Sequence, residues 1–405
     1  MRPIIRWIFV LCCAPFASGI GQQVAPLSRA QAVAGALARG PRLAMAAADT
    51  MLAAGQLLTA RALPNPMLSA SYSKSLPKYH VTAELPLDFI GLRGTRIESA
   101  DAAQIAARYR FAFDRATVAL DADTTYTRAL AVAAHVQLSR RNALAADSVR
   151  RIATQRRDAG DASELDVQIA TVTAGQAANV ASADSLSLNA TLLDLQALIG
   201  LPSDHVAISL TDSLLPPASP ASTQPGTDPT LAVASATASV KSASLAATVQ
   251  HRSAFLLPSL MFGFETGDPT EPGILPTFGI ALPLPFVNRN RGPIAEAEAV
   301  RQRAAAELEF VKAESQNQIA QARRAESAAL ARISRDQLLL TSANRVAEMS
   351  LTAYREGAAP LATVLEAQRS ARDMLSQYID DVATALVAAA TLRVLTLTPS
   401  TVTTP

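Results

Sequence analysis

Cysteine, aromatic side chains and an excess of either charge are all scarce in this chain of 405 residues. Its two cysteines, Cys12 and Cys13, lie near the N-terminus, so the remainder offers no disulfide, thiolate metal site or cysteine nucleophile. The net charge is only +2, and without a basic block nothing favours nucleic acid as a partner. Aromatic residues make up 4% of the chain and hydrophobic residues 49%. Alanine supplies much of the hydrophobic content, which favours close packing of long helices.

Residues 1–21 have the pattern of a secretory signal peptide. Arg2 and Arg6 precede an apolar run at residues 7–14, which is far shorter than the ~20 residues of a membrane span. Small residues follow, so we expect cleavage near residues 19–21. Neither cysteine follows the small residue that precedes an acylated cysteine, so no lipid anchor is predicted.

Patterns typical of an enzyme are missing as well. The four histidines, His80, His135, His205 and His251, are widely separated and show no metal-ligand spacing. No phosphate-binding glycine loop or nucleophile elbow is present in the sequence. We therefore predict a protein that is not an enzyme and has neither a metal site nor a cofactor.

One segment of the chain occurs twice. A shift of 197 positions places Phe113 on Phe310 and Gly160 on Gly357, and it also superimposes the Leu-Pro-Leu triplets that start at Leu85 and Leu282. A constant offset over such a distance indicates a duplicated structural unit. Each copy runs from an alternating, aromatic-bearing strand into a long alanine-rich helix that ends at a glycine.

Two segments, residues 65–90 and 257–287, alternate between apolar and polar side chains and predict β-hairpins. One interpretation is a pair of hairpins half-buried on a soluble core. The other is transmembrane β-structure, with strands of ~9–11 residues and aromatics at the interfaces. In the second case the lipid-facing residues are Leu68, Tyr72, Val81, Leu85, Phe262, Phe264, Phe278, Ile280 and Leu282. Four strands cannot close a barrel, which needs about eight, so membrane insertion would require several copies of the chain.

Very long helices follow each hairpin. No glycine or proline interrupts residues 95–157, which predicts a helix of roughly 90 Å, and residues 293–356 repeat the pattern. Such lengths indicate a coiled coil or a helical barrel. A shorter helical pattern at residues 27–62 has an expected interruption at Gly40-Pro41.

Acidic residues cluster where the long helices end. We assign Asp161 and Glu164 to helix capping, because acidic side chains favour a helix N-terminus. Asp166 and Glu366 lie further along the returning helices. Around a symmetric pore each would form a ring of carboxylates, and such rings bind or select cations.

Several motifs resemble the TolC-like outer membrane factor family, the exit ducts of tripartite efflux pumps and type I secretion. They are Pro64-Asn65-Pro66, Leu85-Pro86-Leu87 followed by Gly91-Leu92-Arg93-Gly94, Leu198-Ile199-Gly200, and Tyr354-Arg355-Glu356-Gly357 followed by Val364-Leu365-Glu366-Ala367. The Gly-Leu-Arg-Gly motif and the short chain are most similar to the heavy-metal, CzcC- or CusC-like branch.

This resemblance implies a mainly α protein that forms a homotrimer, with a 12-stranded transmembrane β-barrel in the outer membrane and a 12-helix periplasmic α-barrel. It also implies contact with outer membrane lipid, a periplasmic adaptor protein and an inner-membrane pump of the RND or ABC type. Acidic residues constrict the mouth in relatives; Glu366 matches one such position, and Thr363 stands at the preceding one. The implied adaptor contacts at the helical tips are Gly160, Asp161, Ser163, Gly357, Ala358 and Pro360.

The predicted organisation is a signal peptide (1–21), a first repeat (22–202), a linker (203–229), a second repeat (230–397) and a disordered tail (398–405). The favoured function is a passive exit duct for cargo such as metal cations or drugs. Two alternatives stay open: a periplasmic adaptor or coiled-coil scaffold without a pore, and the duct of a type I secretion system.

Overall fold

The computed structural model describes residues 25–88, 92–217, 228–253, 258–282 and 289–399. The predicted signal peptide, part of the predicted linker and the end of the predicted tail lie outside these ranges.

Five elements of the first half recur in the second half in the same order. The first half contains β1 (Ala25–Leu27), α1 (Arg29–Arg39), α2 (Pro41–Arg61), β2 (Met67–Tyr72), β3 (Tyr79–Pro86), α3 (Leu92–Asp158), α4 (Glu164–Ile199) and β4 (Ile208–Leu210). The second half contains α5 (Leu231–Ser253), β5 (Ser259–Thr266), β6 (Leu275–Ala281), α6 (Arg291–Arg355) and α7 (Leu361–Leu395). The series α2–β2–β3–α3–α4 thus corresponds to α5–β5–β6–α6–α7.

Each long helix is accompanied along its length by two shorter ones. The 67 residues of α3 span about 100 Å. Near the sheet, α2 lies beside α3, and the Arg93 guanidinium donates to the Arg61 carbonyl (2.9 Å). Towards the far end α4 takes this place, and Arg140 donates to the Ser185 hydroxyl (3.3 Å).

The same arrangement recurs in the second half. Near the sheet, α5 accompanies α6, and His251 pairs with Glu298 (3.2 Å). Further along, α7 accompanies α6, and Arg332 pairs with Asp381 (2.7 Å). The two halves meet because α3 also contacts α5 and α7.

These contacts make the helical body and the sheet one layer that is four elements wide. The order is β2-β3-β5-β6 in the antiparallel sheet, α2-α3-α5-α6 next to it, and α4-α3-α7-α6 towards the far end. Within the described residues, β2, α2 and α4 therefore form one edge of the layer, and β6 and α6 form the other.

The register of the sheet separates an apolar from a polar face. Leu68 pairs with Ala83, Val81 with Phe264, and the Phe262 ring lies 6.0 Å from its register partner Phe278. Eight of the nine predicted lipid-facing residues share this face, and Leu282 directly follows β6. The opposite face carries polar residues such as Ser71, His80, Thr82, Glu84, Glu265 and Thr277.

The strands are shorter than the roughly nine residues expected. They contain six to eight residues each, because the chain leaves the ladder for turns at residues 73–78 and 267–274. In the first turn Ser73 donates its amide to the Lys78 carbonyl (2.8 Å), which closes the hairpin before the alternation ends.

The predicted linker contains a strand that sequence reasoning missed. β4 pairs in parallel with β1, and together with α1 it packs on α3 and α4. Tyr126 is fully buried there and donates its hydroxyl to the Leu27 carbonyl (2.9 Å). Leu214 packs against both this cluster and the core between α6 and α7. The segment is thus a belt across one face of the layer.

Ordered chain also continues past the predicted start of the tail. The Leu397 carbonyl accepts from the Leu231 amide at the start of α5 (2.7 Å), and Thr398 and Pro399 make further contacts. The first two residues of the predicted disordered tail therefore lie within the described part of the chain and make contacts there.

One described helix, Pro41–Arg61, is long and apolar enough to cross a membrane by length and composition alone. It buries Ala46, Ala53, Leu57 and Ala60. Its exposed apolar residues lie along the open edge of the layer.

Candidate functional site: the two helical tips

Both helical hairpins reverse through the same backbone motif. Gly160 (φ 86°) and Gly357 (φ 77°) adopt the left-handed conformation that only glycine enters at little cost. The amide of Asp161 donates to the Arg156 carbonyl (2.7 Å), and that of Ala358 donates to the Ala353 carbonyl (2.8 Å). This bond, together with the bond that each glycine amide donates to the carbonyl three residues before it, satisfies carbonyls at the end of the helix.

The first tip is capped by side chains. The Ser163 hydroxyl accepts from the Asp166 amide (3.2 Å), and the Asp166 carboxylate accepts from the Ser163 amide (3.3 Å). Glu164 accepts from Gln168 (2.8 Å) and pairs with Arg157 (2.9 Å). Hydrogen bonding from Gln168, followed by Arg157, lowers the pKa of Glu164. These contacts fix the start of α4.

The assignment of capping roles from sequence needs correction. Asp161 was expected to cap, but its contacts here are made by the main chain: its amide donates, and its carbonyl accepts from Arg156 (3.1 Å). Asp166, predicted to line the pore, is also the acidic member of the capping box. The physical reason is register, since Ser163 is the residue that precedes the helix and Asp166 lies three residues beyond it.

The second tip has no comparable cap. Pro360 occupies the N-cap position of α7, no side chain bonds to the free amides, and the first turn contains no acidic residue. Thr363 and Glu366 are exposed. Within the described part of the chain, the Glu366 carboxylate makes no hydrogen bond or ion pair.

The two predicted pore acids do not occupy equivalent positions. The 197-residue offset places Asp166 on Thr363 and Ile169 on Glu366. Ile169 is exposed. The two repeats therefore present their acids at different depths.

A joint that sequence reasoning missed connects the tips. The Arg156 guanidinium lies over the Tyr354 ring (4.7 Å to the centroid). It also donates to the Tyr354 carbonyl (2.9 Å) and to the Asp161 carbonyl (3.1 Å). The Arg156 side chain thus links the end of α6 to the turn that follows α3, and it also packs on the Tyr354 ring.

Apolar residues from both hairpins surround this joint. They are Val149, Ala153, Val167, Ala170, Leu361 and Val364, and they form one buried cluster with Tyr354. The Tyr354 hydroxyl is buried without a hydrogen-bond partner. Burial raises its pKa, the Arg156 charge opposes this, and the Asp166 charge adds to it. The Tyr-Arg-Glu-Gly motif was the only sequence signal near this joint.

The histidines pair individually with neighbouring carboxylates. His80 lies 3.2 Å from Glu265 across the sheet, and His135 lies 2.9 Å from Asp380 between α3 and α7. Among the described residues, no group of three or more His, Cys, Asp or Glu side chains is arranged to hold a metal ion.

Residues 32–201, less than half of the chain, match the model of a family described as outer membrane efflux protein. A search of curated proteins gives no significant match. Solved structures extend the similarity to the whole fold. A membrane protein from Pseudomonas aeruginosa is similar with a TM-score of 0.76 and 19% identity, covering 91% of this chain and 93% of that one. The CmeC outer membrane channel of Campylobacter jejuni gives 0.76 and 16%, with coverage of 91% and 85%.

This chain has the fold of an outer membrane efflux channel. The expected mainly helical, TolC-like architecture is thereby confirmed, whereas the single chain holds an open four-stranded sheet rather than a closed barrel. Channels of the matched family are ducts and not enzymes. CusC is similar with a TM-score of 0.73 and 16% identity, covering 91% of this chain and 92% of that one. It is no more similar than the other two, so the fold does not distinguish the heavy-metal branch.

Proposed function

We propose that this protein is the outer membrane exit duct of a tripartite efflux system and that three copies form it. The observation that carries the proposal is the four-element layer with two open edges. A sheet edge exposes unpaired backbone groups, which lipid does not tolerate. Four strands are about half of the smallest membrane barrel, so closure needs further copies. The family resemblance sets their number at three.

The side chains along the edges support closure by copies of the same chain. One edge exposes Met45, Met51, Leu52 and Leu58 on α2 and Leu165, Ile169, Val172, Val180 and Leu186 on α4. The other exposes Val300, Phe310, Leu338, Leu339, Val346 and Met349 on α6. Burying each such side chain contributes ~1.5–3 kcal/mol. Two apolar edges of similar length suit a head-to-tail ring.

The sheet supports placement in the outer membrane. Its apolar face exposes large side chains, with Phe278 at 78% and Ile280 at 73% exposure, and these would contact lipid in the closed barrel. The polar face would line the lumen. The predicted signal peptide would deliver the chain across the inner membrane, and the helices would extend into the periplasm.

The helical tips would form the periplasmic mouth. We propose that the tip residues around Gly160 and Gly357 contact an adaptor protein, which connects the duct to an inner-membrane pump. Glu366, with Asp166 and Thr363 nearby along the returning helices, would line the entrance. Cargo selection would lie in the pump, and metal cations or drugs are the cargo classes that the resemblance favours.

The mass of the protein extracted from outer membranes in detergent tests this proposal. Light scattering should give three chains per particle. Val346→Glu on the α6 edge should release smaller species, while Leu144→Glu should not, because Leu144 is exposed on α3 inside the layer. A folded, monodisperse monomer of the parent protein would rule out the duct and favour a scaffold without a pore.

A further inference from the structure

The core between α6 and α7 contains two acidic residues. Ala329, Ile333, Val382 and Ala385 form its buried apolar part. Asp336 lies one turn along α6 from Ile333, and Asp381 precedes Val382 on α7. Only 8% of Asp336 and 2% of Asp381 is exposed. Carboxylates at this depth are costly unless hydrogen bonds or opposite charges compensate them.

The compensation is incomplete. Arg332 donates its Nε to one oxygen of Asp381 (2.7 Å). The second oxygen of Asp381 and one oxygen of Asp336 are buried without a hydrogen-bond partner. Two carboxylates therefore share the core with one guanidinium that is bonded to only one of them.

The other charged groups nearby do not remove this imbalance. Arg335 on α6 acts on Asp336 only through its charge, as does Arg332. On α7, Tyr378 accepts from Gln337 (3.4 Å). From α3, His135 pairs with the neighbouring Asp380 (2.9 Å). From the described part of the belt, the apolar Leu214 packs against this core.

Protonation of Asp336 would satisfy both unpartnered oxygens. Burial raises the pKa of Asp336, and the neighbouring negative charge of Asp381 raises it further. The smaller effects of Arg335 and Arg332 oppose this rise. Asp336 is therefore the partner that would keep the proton.

We propose that Asp336 and Asp381 share one proton across the α6–α7 interface and that its loss at rising pH loosens the middle of this hairpin. In the protonated state the Asp336 hydroxyl donates to the free oxygen of Asp381. On deprotonation the proton passes to water, and two buried carboxylates repel each other. The pair is a pH-sensitive weak point in one hairpin of each chain.

The direction follows from linkage. The folded chain binds this proton more tightly than the opened hairpin does, because the pKa of Asp336 is raised in the folded state. Stability from the pair is complete below the ordinary aspartate pKa. It is lost as the pH rises through the raised pKa.

The first hairpin supplies an internal control. The 197-residue offset places Ser139 at the position of Asp336, and Asp184 at that of Asp381. Ser139 is buried and donates its hydroxyl to the Val136 carbonyl of its own helix (3.2 Å). The α3–α4 interface thus has no acid pair at this level.

Hydrogen exchange of the full-length protein in detergent, followed by mass spectrometry between pH 5 and 8, tests the proposal. Peptides from residues 326–345 and 370–390 are compared with peptides from residues 129–148 and 173–193 at each pH. This ratio cancels the intrinsic pH dependence of exchange. It should rise with pH, by at most about tenfold per pH unit for one proton.

Three variants sharpen this test. Asp336→Asn should keep the second hairpin protected at high pH and remove the slope, because the amide donates where the shared proton did. Asp381→Asn should also remove the slope but raise exchange at all pH values, because Arg332 loses its partner. Asp184→Asn should behave like the parent.

Either of two exchange results would overturn the proposal: a ratio that is constant with pH in the parent, or a parent-like slope in Asp336→Asn. A change of the ratio on adding Mg²⁺ or EDTA at fixed pH would show that a cation, not a proton, bridges the pair. If the variants do not assemble, infrared difference spectra of the parent decide. A carboxylic acid band that disappears at high pH supports the shared proton, and its absence throughout contradicts it.

Discussion

The two helical hairpins have the same backbone but different interiors and different tips. At the first tip, Ser163 and Asp166 cap the returning helix, whereas Pro360 leaves the second without a side-chain cap. In the core, the first hairpin has Ser139 where the second has Asp336. A cap is worth about 1 kcal/mol. Duplication thus retained the helical geometry, whereas the second hairpin lacks the side-chain cap and holds two acidic residues in its core.

The joint between the hairpins gives the largest expected effect. Arg156→Ala removes a cation–π contact and two hydrogen bonds to main-chain carbonyls. It should lower the free energy of local unfolding at both tips by about 2 kcal/mol, measured by hydrogen exchange. Arg151→Ala is the control, since Arg151 makes only exposed contacts within its own helix, with Asp147 (3.5 Å) and the Ser148 hydroxyl (3.0 Å). Equal effects of the two changes would mean that Arg156 is not a joint.

Two buried tyrosines should respond with opposite signs. Tyr354→Phe removes a buried hydroxyl without a partner and should raise the free energy of unfolding by about 1 kcal/mol. Tyr126→Phe removes the bond to the Leu27 carbonyl and should lower it by about 1 kcal/mol. Chemical denaturation in detergent measures both. Destabilisation by Tyr354→Phe would show that its hydroxyl has a partner in the assembled protein.

Capping can be exchanged between the tips. Ser163→Ala should cost about 1 kcal/mol at the start of α4. The double change Pro360→Ser with Thr363→Glu supplies a capping box to α7 and should gain a few tenths to about 1 kcal/mol there. Exchange rates of the first-turn amides provide the measurement. If neither removing the cap from α4 nor adding one to α7 changes these exchange rates in the expected direction, capping does not explain the difference between the tips.

The sequence was sufficient for features that repeat over short intervals. Alternation identified the sheet face from Leu68 to Ile280, and the glycines at 160 and 357 marked the reversals. It was insufficient for contacts between distant residues. β1 and β4 have three residues each, which is too short to show an alternating pattern in the sequence. Asp336 and Asp381 look like ordinary surface acids, because each stands next to charged or polar residues such as Arg335, Gln337 and Asp380.

The tip residues illustrate the same limit. Arg156 and Tyr354 are 198 positions apart, and neither belongs to a local pattern that indicates contact. Asp161, Ser163, Glu164 and Asp166 all suit a helix start, so composition alone could not decide which of them caps. The structure identifies the capping residues, because it shows that Ser163 directly precedes the first turn of α4.

The conductance of the purified protein in a planar lipid bilayer tests the duct most directly. We expect ion conductance that divalent cations block from the periplasmic side, because three copies of Glu366 would surround the mouth. Glu366→Gln should weaken this block, and Asp166→Asn should add a smaller effect, since that carboxylate is already engaged by the Ser163 amide. Pore-like conductance with parent-strength block in the double variant would move the constriction elsewhere. A folded protein that inserts but conducts no ions would contradict the account.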